Sequence, residues 1–107
     1  MGKLVPRVHD RERVLREVRF RILPSGPRRV GHTLDLSPSG VRIFTDPSLR
    51  VGDAVELVWN EHDPRATASG RVVHVRVDFD GSWSGLQFLV PLSLPTFEAI
   101  KQSPVRA

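Results

Sequence analysis

The feature that most constrains the fold is a series of short stretches in which apolar and polar residues alternate. In the clearest of them, Ala68–Val77, valine recurs at every second position towards the end. A period of two residues is typical of a β-strand that buries one of its two faces. We therefore expect Val73, Val75 and Val77 to share one face of this strand.

Five other stretches show the same signals and are separated by turns rich in proline, glycine and aspartate. They are Val14–Ile22, Val30–Ser37, Val41–Phe44, Ala54–Trp59 and Gly85–Val90. In the stretch that begins at Val30, strict alternation would put one apolar face opposite a polar one. The expected apolar face consists of Val30, His32, Leu34 and Leu36, and the polar face includes Asp35 and Ser37.

The last segment, Ser93–Gln102, has the spacing of a helix rather than a strand. Ser93 can cap its first turn, Pro95 suits that turn, and Pro104 stops the helix. Six strands with short connections and one short terminal helix predict an all-β domain. A closed antiparallel barrel is the favoured architecture because closure removes exposed sheet edges.

Length and charge narrow the class of protein. A chain of 107 residues fits one domain with a modest core. It has no apolar run long enough to span a membrane, no secretory leader and no cysteine, which suits a cytoplasmic location. The basic residues are 14 arginines and only 2 lysines, and the net charge of +4 favours an anionic partner.

The sequence contains no recognisable catalytic or metal-binding pattern. The four histidines His9, His32, His62 and His74 fall in different predicted elements, without the spacing of metal ligands. We find no glycine-rich phosphate loop and no nucleophile signature. The sequence therefore predicts a protein that is not an enzyme and has neither a metal site nor a cofactor.

A basic β-barrel also resembles an oligonucleotide-binding fold, so a nucleic-acid-binding protein is one alternative. Such sites need aromatic side chains on an exposed strand face, where bases can stack. Most aromatic residues of this chain instead fall on the predicted core side. They are Phe20, Phe44, Trp59, Phe88 and Phe97. Nucleic acid is therefore not the expected partner.

Two short motifs point to a more specific ligand. The first, R-x-x-x-R, is formed by Arg7 and Arg11 on a charged N-terminal arm. The second, D-x-S-x-x-G, is formed by Asp35, Ser37 and Gly40 at the end of a predicted strand. Taken alone, the second motif is also typical of a simple turn with its glycine at positive φ. Together, the two could hold a flat anionic molecule such as a guanine nucleotide.

The order of these motifs resembles the PilZ domain, the cyclic di-GMP receptor module of bacteria. The similarity continues in Gly70–Arg76, which looks like the family's GRVVWVR strand with His74 in place of tryptophan. Gly85–Phe88 looks like its G-(V/I)-x-F strand, and Ser93–Gln102 looks like its closing helix. The resemblance implies a six-stranded antiparallel β-barrel with a short C-terminal helix.

The resemblance also implies a ligand and its binding residues. Arg7 and Arg11 would wrap cyclic di-GMP, and Asp35, Ser37 and Gly40 would hold it at the strand end. The expected organisation is a flexible arm over residues 1–12, a barrel with its helix over 13–102, and a tail over 103–107. Ligand would order the arm and change a surface that binds a protein effector.

Three alternatives remain open at this stage. The first is a PilZ-like adaptor that does not bind nucleotide and acts by protein–protein interaction. The second is the nucleic-acid-binding barrel, and the third is an enzyme. Membrane insertion is not expected, and the chain could be a monomer or a homodimer.

Overall fold

A computed structural model describes residues 11–104, so the predicted ligand residue Arg7 lies outside the described part of the chain. Seven strands precede one helix. The strands are β1 (Glu12–Arg13), β2 (Glu17–Ile22), β3 (Arg29–Ser37), β4 (Gly40–Thr45), β5 (Ala54–Val58), β6 (Thr67–Val77) and β7 (Ser82–Phe88). The helix is α1 (Leu94–Lys101), whose bounds agree with the predicted helical segment.

All strand pairs are antiparallel, and six of the strands close into a barrel. Around the barrel the order is β2, β3, β4, β7, β6 and β5, and β5 pairs again with β2. The short β1 pairs with the end of β3 that β2 leaves free. This architecture confirms the predicted fold class.

Buried apolar side chains fill the barrel and the space under α1. The largest fully buried ones are Phe20, Leu36, Ile43, Leu57 and Ile100. The helix begins with the Oγ atom of Ser93 accepting the N–H of Thr96, and it packs Phe97, Ala99 and Ile100 inwards. Four of the five aromatic residues expected in the core are buried there. Phe44 is the exception, because it lies on the outer face, where its ring contacts Trp83 edge-on at a centroid distance of 5.1 Å.

A β-bulge changes the face assignment in β3. The pairing with β4 shifts between Thr33 and Asp35. Ahead of the shift Gly31 and Thr33 are buried, whereas His32 is exposed; beyond it Leu36 is fully buried. The prediction that Val30 and His32 belong to the apolar face is therefore wrong, because one extra residue reverses the alternation.

A second bulge corrects the face assignment in β6. The pairing with β7 shifts between Val72 and His74, so that Val72 is buried and Val73 is half exposed. Val75 packs against the core, whereas Val77, in the part of β6 that β5 does not pair with, is 75% exposed. The three valines at 73, 75 and 77 therefore do not form one buried face.

The first predicted strand, Val14–Ile22, is shorter than expected: only β2 falls within it, β1 lies ahead of it, and residues 14–16 form a break between the two strands. Thr33 lies opposite the break: its N–H donates to the Arg16 carbonyl, and its hydroxyl donates to the Val14 carbonyl at 2.6 Å. The same hydroxyl accepts the N–H of Arg16 at 3.0 Å. These hydrogen bonds satisfy the backbone where the regular pairing is interrupted. The strand therefore resumes at Glu17 rather than beginning at Val14.

No helix within residues 11–104 is long and apolar enough to cross a membrane. In the same part of the chain, no three histidine, aspartate or glutamate side chains come together in a way that could hold a metal ion.

Candidate functional site

The D-x-S-x-x-G motif forms the tight hairpin between β3 and β4. Ser37 pairs with Gly40, and Pro38 and Ser39 make the turn. The Oγ atom of Ser37 accepts the backbone N–H groups of Ser39 and Gly40, both at 3.2 Å. The carbonyl of Ser39 accepts the N–H of Phe88 at 2.9 Å, which ties the turn to the end of β7. The hairpin is therefore held in one geometry from both sides.

Gly40 is required by packing rather than by backbone conformation. Among the described residues, positive φ occurs only at Gly52, so Gly40 lacks the positive φ of the alternative in which the motif is a simple turn. A Cβ atom on Gly40 would instead lie 2.6 Å from the carbonyl oxygen of Leu86. The glycine therefore lets β4 approach β7 closely at the point where the motif ends.

Asp35 is the centre of an ion triad on the outer face of the barrel. Its Oδ1 atom accepts Nη1 of Arg11 at 2.7 Å. Its Oδ2 atom accepts Nη2 of Arg42 at 2.5 Å and Nε of the same guanidinium at 3.2 Å. The carboxylate side chain is only 12% exposed, whereas the two arginines are about 40% exposed. Both carboxylate oxygens are therefore engaged by side chains that solvent can reach.

Two opposing effects act on the pKa of Asp35. Burial raises the pKa, because a carboxylate loses hydration inside the protein. The hydrogen bonds and positive charges of Arg42 and Arg11 outweigh burial, and the pKa lies below its ordinary value. Asp35 is therefore an ionised acceptor at neutral pH.

Arg42 is a site residue that the sequence interpretation missed. It lies between the buried residues Val41 and Ile43, so its side chain points outwards. Once Ser37 and Gly40 pair across a tight turn, Asp35 and Arg42 become direct neighbours across the two strands. The signal was present in the alternation of β4, but the resemblance assigned no role to this position.

A cleft of about 240 Å³ opens beside the triad. It is lined by Arg11, Arg42, His74 and Gly85. The imidazole of His74 lies directly over Gly85, where an added Cβ would clash with a ring carbon. The walls of the cleft thus offer two guanidinium groups and one imidazole, next to an acceptor carboxylate.

The structure brings together four of the five predicted ligand residues. Asp35 and Arg11 are in direct contact, and Ser37 and Gly40 form the adjoining turn. The fifth, Arg7, lies outside the described residues. Arg11 immediately precedes β1, so this strand begins within the predicted arm of residues 1–12.

Two solved structures share this fold. The Bacillus subtilis inhibitor of motility, MotI/DgrA, has a TM-score of 0.67 and 13% identity; the match covers 92% of this chain and 49% of that one. The PilZ domain of YcgR from Escherichia coli, solved with c-di-GMP, has a TM-score of 0.58 and 13% identity, with coverages of 89% and 86%. This chain thus spans about half the length of the Bacillus protein.

The sequence comparisons give a family but no individual relative. No curated protein sequence matches this chain. The PilZ domain model matches residues 7–103, which include both motifs, the whole barrel and α1. The resemblance drawn from the two motifs is thereby confirmed, and the chain belongs to the PilZ domain family.

Proposed function

We propose that this protein is a bacterial receptor for cyclic di-GMP and not an enzyme. Membership of the PilZ family supports this function, as does the shared fold of the YcgR domain solved with c-di-GMP. The observation that carries the proposal is the contact of Arg11 with Asp35, which joins the two sequence motifs in one place.

Asp35 fits the hydrogen-bonding edge of guanine. An ionised carboxylate is acceptor-only, and guanine presents the N1–H and N2–H donors side by side. The low pKa of Asp35 keeps the carboxylate ionised at neutral pH. Guanine would replace Arg11 and Arg42 at the two oxygens, exchanging one pair of donors for another.

The arginines fit the remaining chemistry of the ligand. A guanidinium group can bind phosphate oxygens or guanine O6 and N7 with two parallel hydrogen bonds, and it can stack on a purine. Arg11 is 40% exposed in its side chain, so it can move from Asp35 to the ligand without disturbing the core. Arg7 would act in the same way from the N-terminal arm.

The proposed output is a changed surface for a protein effector. Arg11 already lies on the barrel in contact with Asp35, and ligand would draw Arg7, on the segment ahead of it, onto the barrel beside Asp35 and Ser37. The ordered arm and the exposed parts of the ligand would together form or hide a docking surface. In this mechanism the backbone of the barrel stays rigid, whereas the arm and the arginine side chains around Asp35 change position, in a protein that we place in the cytoplasm.

Isothermal titration of the full chain with cyclic di-GMP, using GTP as the control, tests the proposal. We expect selective binding in the range of about 0.1–10 µM. Arg11→Ala should weaken it about ten- to hundredfold, because a charge-assisted contact is lost. Equal heats for both nucleotides, or no binding of either, would contradict the receptor function.

A second function is favoured by one observation. Both oxygens of Asp35 are already bound by arginines, so the triad can stabilise the barrel without any ligand. The protein would then be an adaptor that binds other proteins and no nucleotide. Absence of cyclic di-GMP binding by a folded wild-type chain would favour this adaptor.

A further inference from the structure

Direct cross-strand neighbours form one row on the outer face of the barrel. Asp35 on β3 lies opposite Arg42 on β4, and Arg42 lies opposite Gly85 on β7. Gly85 in turn lies opposite His74 on β6. Strands in a sheet are about 4.8 Å apart, so the row spans roughly 15 Å from Asp35 to His74. This length suits a dinucleotide better than a single base.

The absence of a side chain on Gly85 allows His74, the last residue of the row, to lie close to Arg42. Because Gly85 has no side chain, the ring of His74 lies on the backbone of β7 instead of pointing away from it. The ring thus leans towards the strand beside Arg42, and both side chains line the same cleft. The bulge between Val72 and His74 sets this arrangement, because it fixes which residue of β6 lies opposite Gly85.

The charges around His74 favour an anion. Arg42 faces it from β4, Arg11 from the segment ahead of β1, and Arg76 follows on its own strand. β7 contributes only the uncharged Trp83 and Gln87 on either side of Gly85 along this face. On β3 the carboxylate of Asp35 is bound to Arg11 and Arg42, and the exposed Arg13 of β1 lies opposite it.

An incoming guanine would disturb this balance. While Asp35 accepts hydrogen bonds from Arg11 and Arg42, the triad has a net charge of +1. If the guanine edge takes both carboxylate oxygens, Arg42 loses its partner at the side of the cleft next to His74. Because the ligand would cover this exposed guanidinium group, Arg42 then needs a new acceptor, and a phosphate oxygen is the group that the ligand can supply.

We propose that Arg42 and His74 form a phosphate subsite of the ligand site, a role that rests on the proposed binding of cyclic di-GMP. Arg42 exchanges the carboxylate of Asp35 for a phosphate oxygen of the dinucleotide. His74 donates a ring N–H to the same phosphate, and it does so most strongly as the imidazolium cation. Histidine is the side chain whose charge changes between about pH 5 and pH 8. Binding at this subsite therefore strengthens as the pH falls.

The test is titration of cyclic di-GMP into the full chain and its variants at about 50 and about 300 mM salt. Arg42→Ala should weaken binding roughly ten- to hundredfold and reduce the dependence of affinity on salt. Arg42→Lys keeps the charge but cannot donate two parallel hydrogen bonds, so its affinity should lie between those of Arg42→Ala and wild type. Arg28→Ala is the matched control, because it removes one guanidinium on the far side of the barrel, where Arg28 pairs with Glu61.

The pH dependence of the affinity for cyclic di-GMP distinguishes a phosphate contact by His74 from a purely structural role. Wild type should bind more tightly at about pH 6 than at about pH 8, and His74→Gln should remove most of this difference. His74→Phe keeps an aromatic ring without a charge, and it should also lose the pH response. A His74→Phe variant that binds as tightly as wild type at low pH would overturn the phosphate contact and show base stacking instead.

The outcomes separate this subsite from the receptor function. If wild type binds but Arg42→Ala matches Arg28→Ala in affinity and salt dependence, the subsite is wrong and the receptor function stands. If folded wild type does not bind, both are wrong. Thermal melting shows whether Arg42→Ala is folded; His74 is exposed, so its variants provide an independent test should Arg42→Ala unfold.

Discussion

Two carboxylates on opposite sides of the barrel each bind two arginines, yet their surroundings differ. Asp35 lies on β3 and binds Arg11 and Arg42, and its side chain is 12% exposed. Glu61 lies in the loop after β5 and binds Arg19 and Arg28. Its side chain is 42% exposed. The same combination of one carboxylate and two guanidinium groups thus occurs once around a largely buried strand residue and once around an exposed loop residue.

The difference lies in what fixes each carboxylate. Asp35 is held by strand pairing on both sides, opposite Arg13 and Arg42. Glu61 is positioned by a loop in which the side chain of Asn60 accepts the N–H of His62 at 2.9 Å. A hydrogen bond from Arg19 lowers the pKa of Glu61, with a smaller effect from Arg28. Water screens this exposed group, so the shift adds little to stability.

The comparison shows that ion-pair composition alone does not make a binding site. A carboxylate aids recognition when it is partly desolvated, held in one orientation and next to an open cleft. Asp35 meets these conditions because two strands and a tight turn position it beside the cleft of Arg42 and His74. Glu61 does not, so its side of the barrel is the natural control for each experiment.

The largest expected difference concerns ligand binding. Asp35→Ala should weaken binding of cyclic di-GMP about hundredfold or more, because two charge-assisted hydrogen bonds to guanine are lost. Glu61→Ala removes the same charge from the other triad and should change the affinity less than about twofold. Isothermal titration of both variants measures the contrast. Equal losses would mean that long-range charge, not contact, controls binding.

The next effect concerns the turn that positions Asp35. Gly40→Ala should lower the free energy of unfolding by about 1–3 kcal/mol, because the added methyl group meets the carbonyl of Leu86. Gly52→Ala is the control: its Cβ would meet no atom within 4 Å, and only its φ of 97° is unfavourable. Urea unfolding compares the two. A Gly40→Ala chain as stable as wild type would show that β4 and β7 can separate without cost.

A third contrast depends on pH. The folded-state pKa of Asp35 is below its ordinary value, so its ion pairs stabilise the protein above about pH 4. This contribution disappears as the pH falls through the folded-state pKa. The stability difference between wild type and Asp35→Asn should therefore be present at neutral pH and shrink towards pH 3.

Urea unfolding at about pH 7 and about pH 3 measures this difference. Glu61→Gln serves as the comparison, and its effect on stability should be small at both values because the group is exposed. A larger pH-dependent effect for Glu61 than for Asp35 would contradict the assigned roles of the two triads.

The smallest effect tests how each carboxylate is supported. Ser37→Ala removes the acceptor of two backbone N–H groups in a buried turn and should cost about 1 kcal/mol. Asn60→Ala removes one such acceptor in an exposed loop, where water replaces it, and should cost about 0.5 kcal/mol or less. Thermal melting can resolve the pair. A larger loss of stability in Asn60→Ala than in Ser37→Ala would mean that the loop beside Glu61 is held more firmly than the turn beside Asp35.

Much of the fold could be predicted because its signals are local. The cap at Ser93, the proline in the first turn and the spacing of apolar residues identify α1. Alternation and turns locate most strands to within a few residues, and closure into a barrel follows from the need to remove edges. The start of β7 was set too late, at Gly85, because Ser82 and Ser84 are polar yet fully buried.

The face assignments could not be predicted, because a bulge has no clear local signal. One extra residue in β3 and one in β6 reverse the alternation, and each is defined only against its partner strand. For the same reason, His74 could not be placed beside Gly85, and neither residue could be placed beside Arg42, without the register of β4, β6 and β7.

The sequence by itself determined the class of fold, because alternation and turn residues are local signals, and it identified the family through the resemblance of its motifs. The tertiary structure alone decided that both oxygens of Asp35 bind arginines and that His74 lies on Gly85 beside Arg42. The physical reason is that these contacts depend on how the strands pair: Arg11 reaches Asp35 across 24 residues of sequence, and Arg42 lies beside His74 only because β4 pairs with β7. Their geometry depends on strand register and close packing, which no single segment encodes.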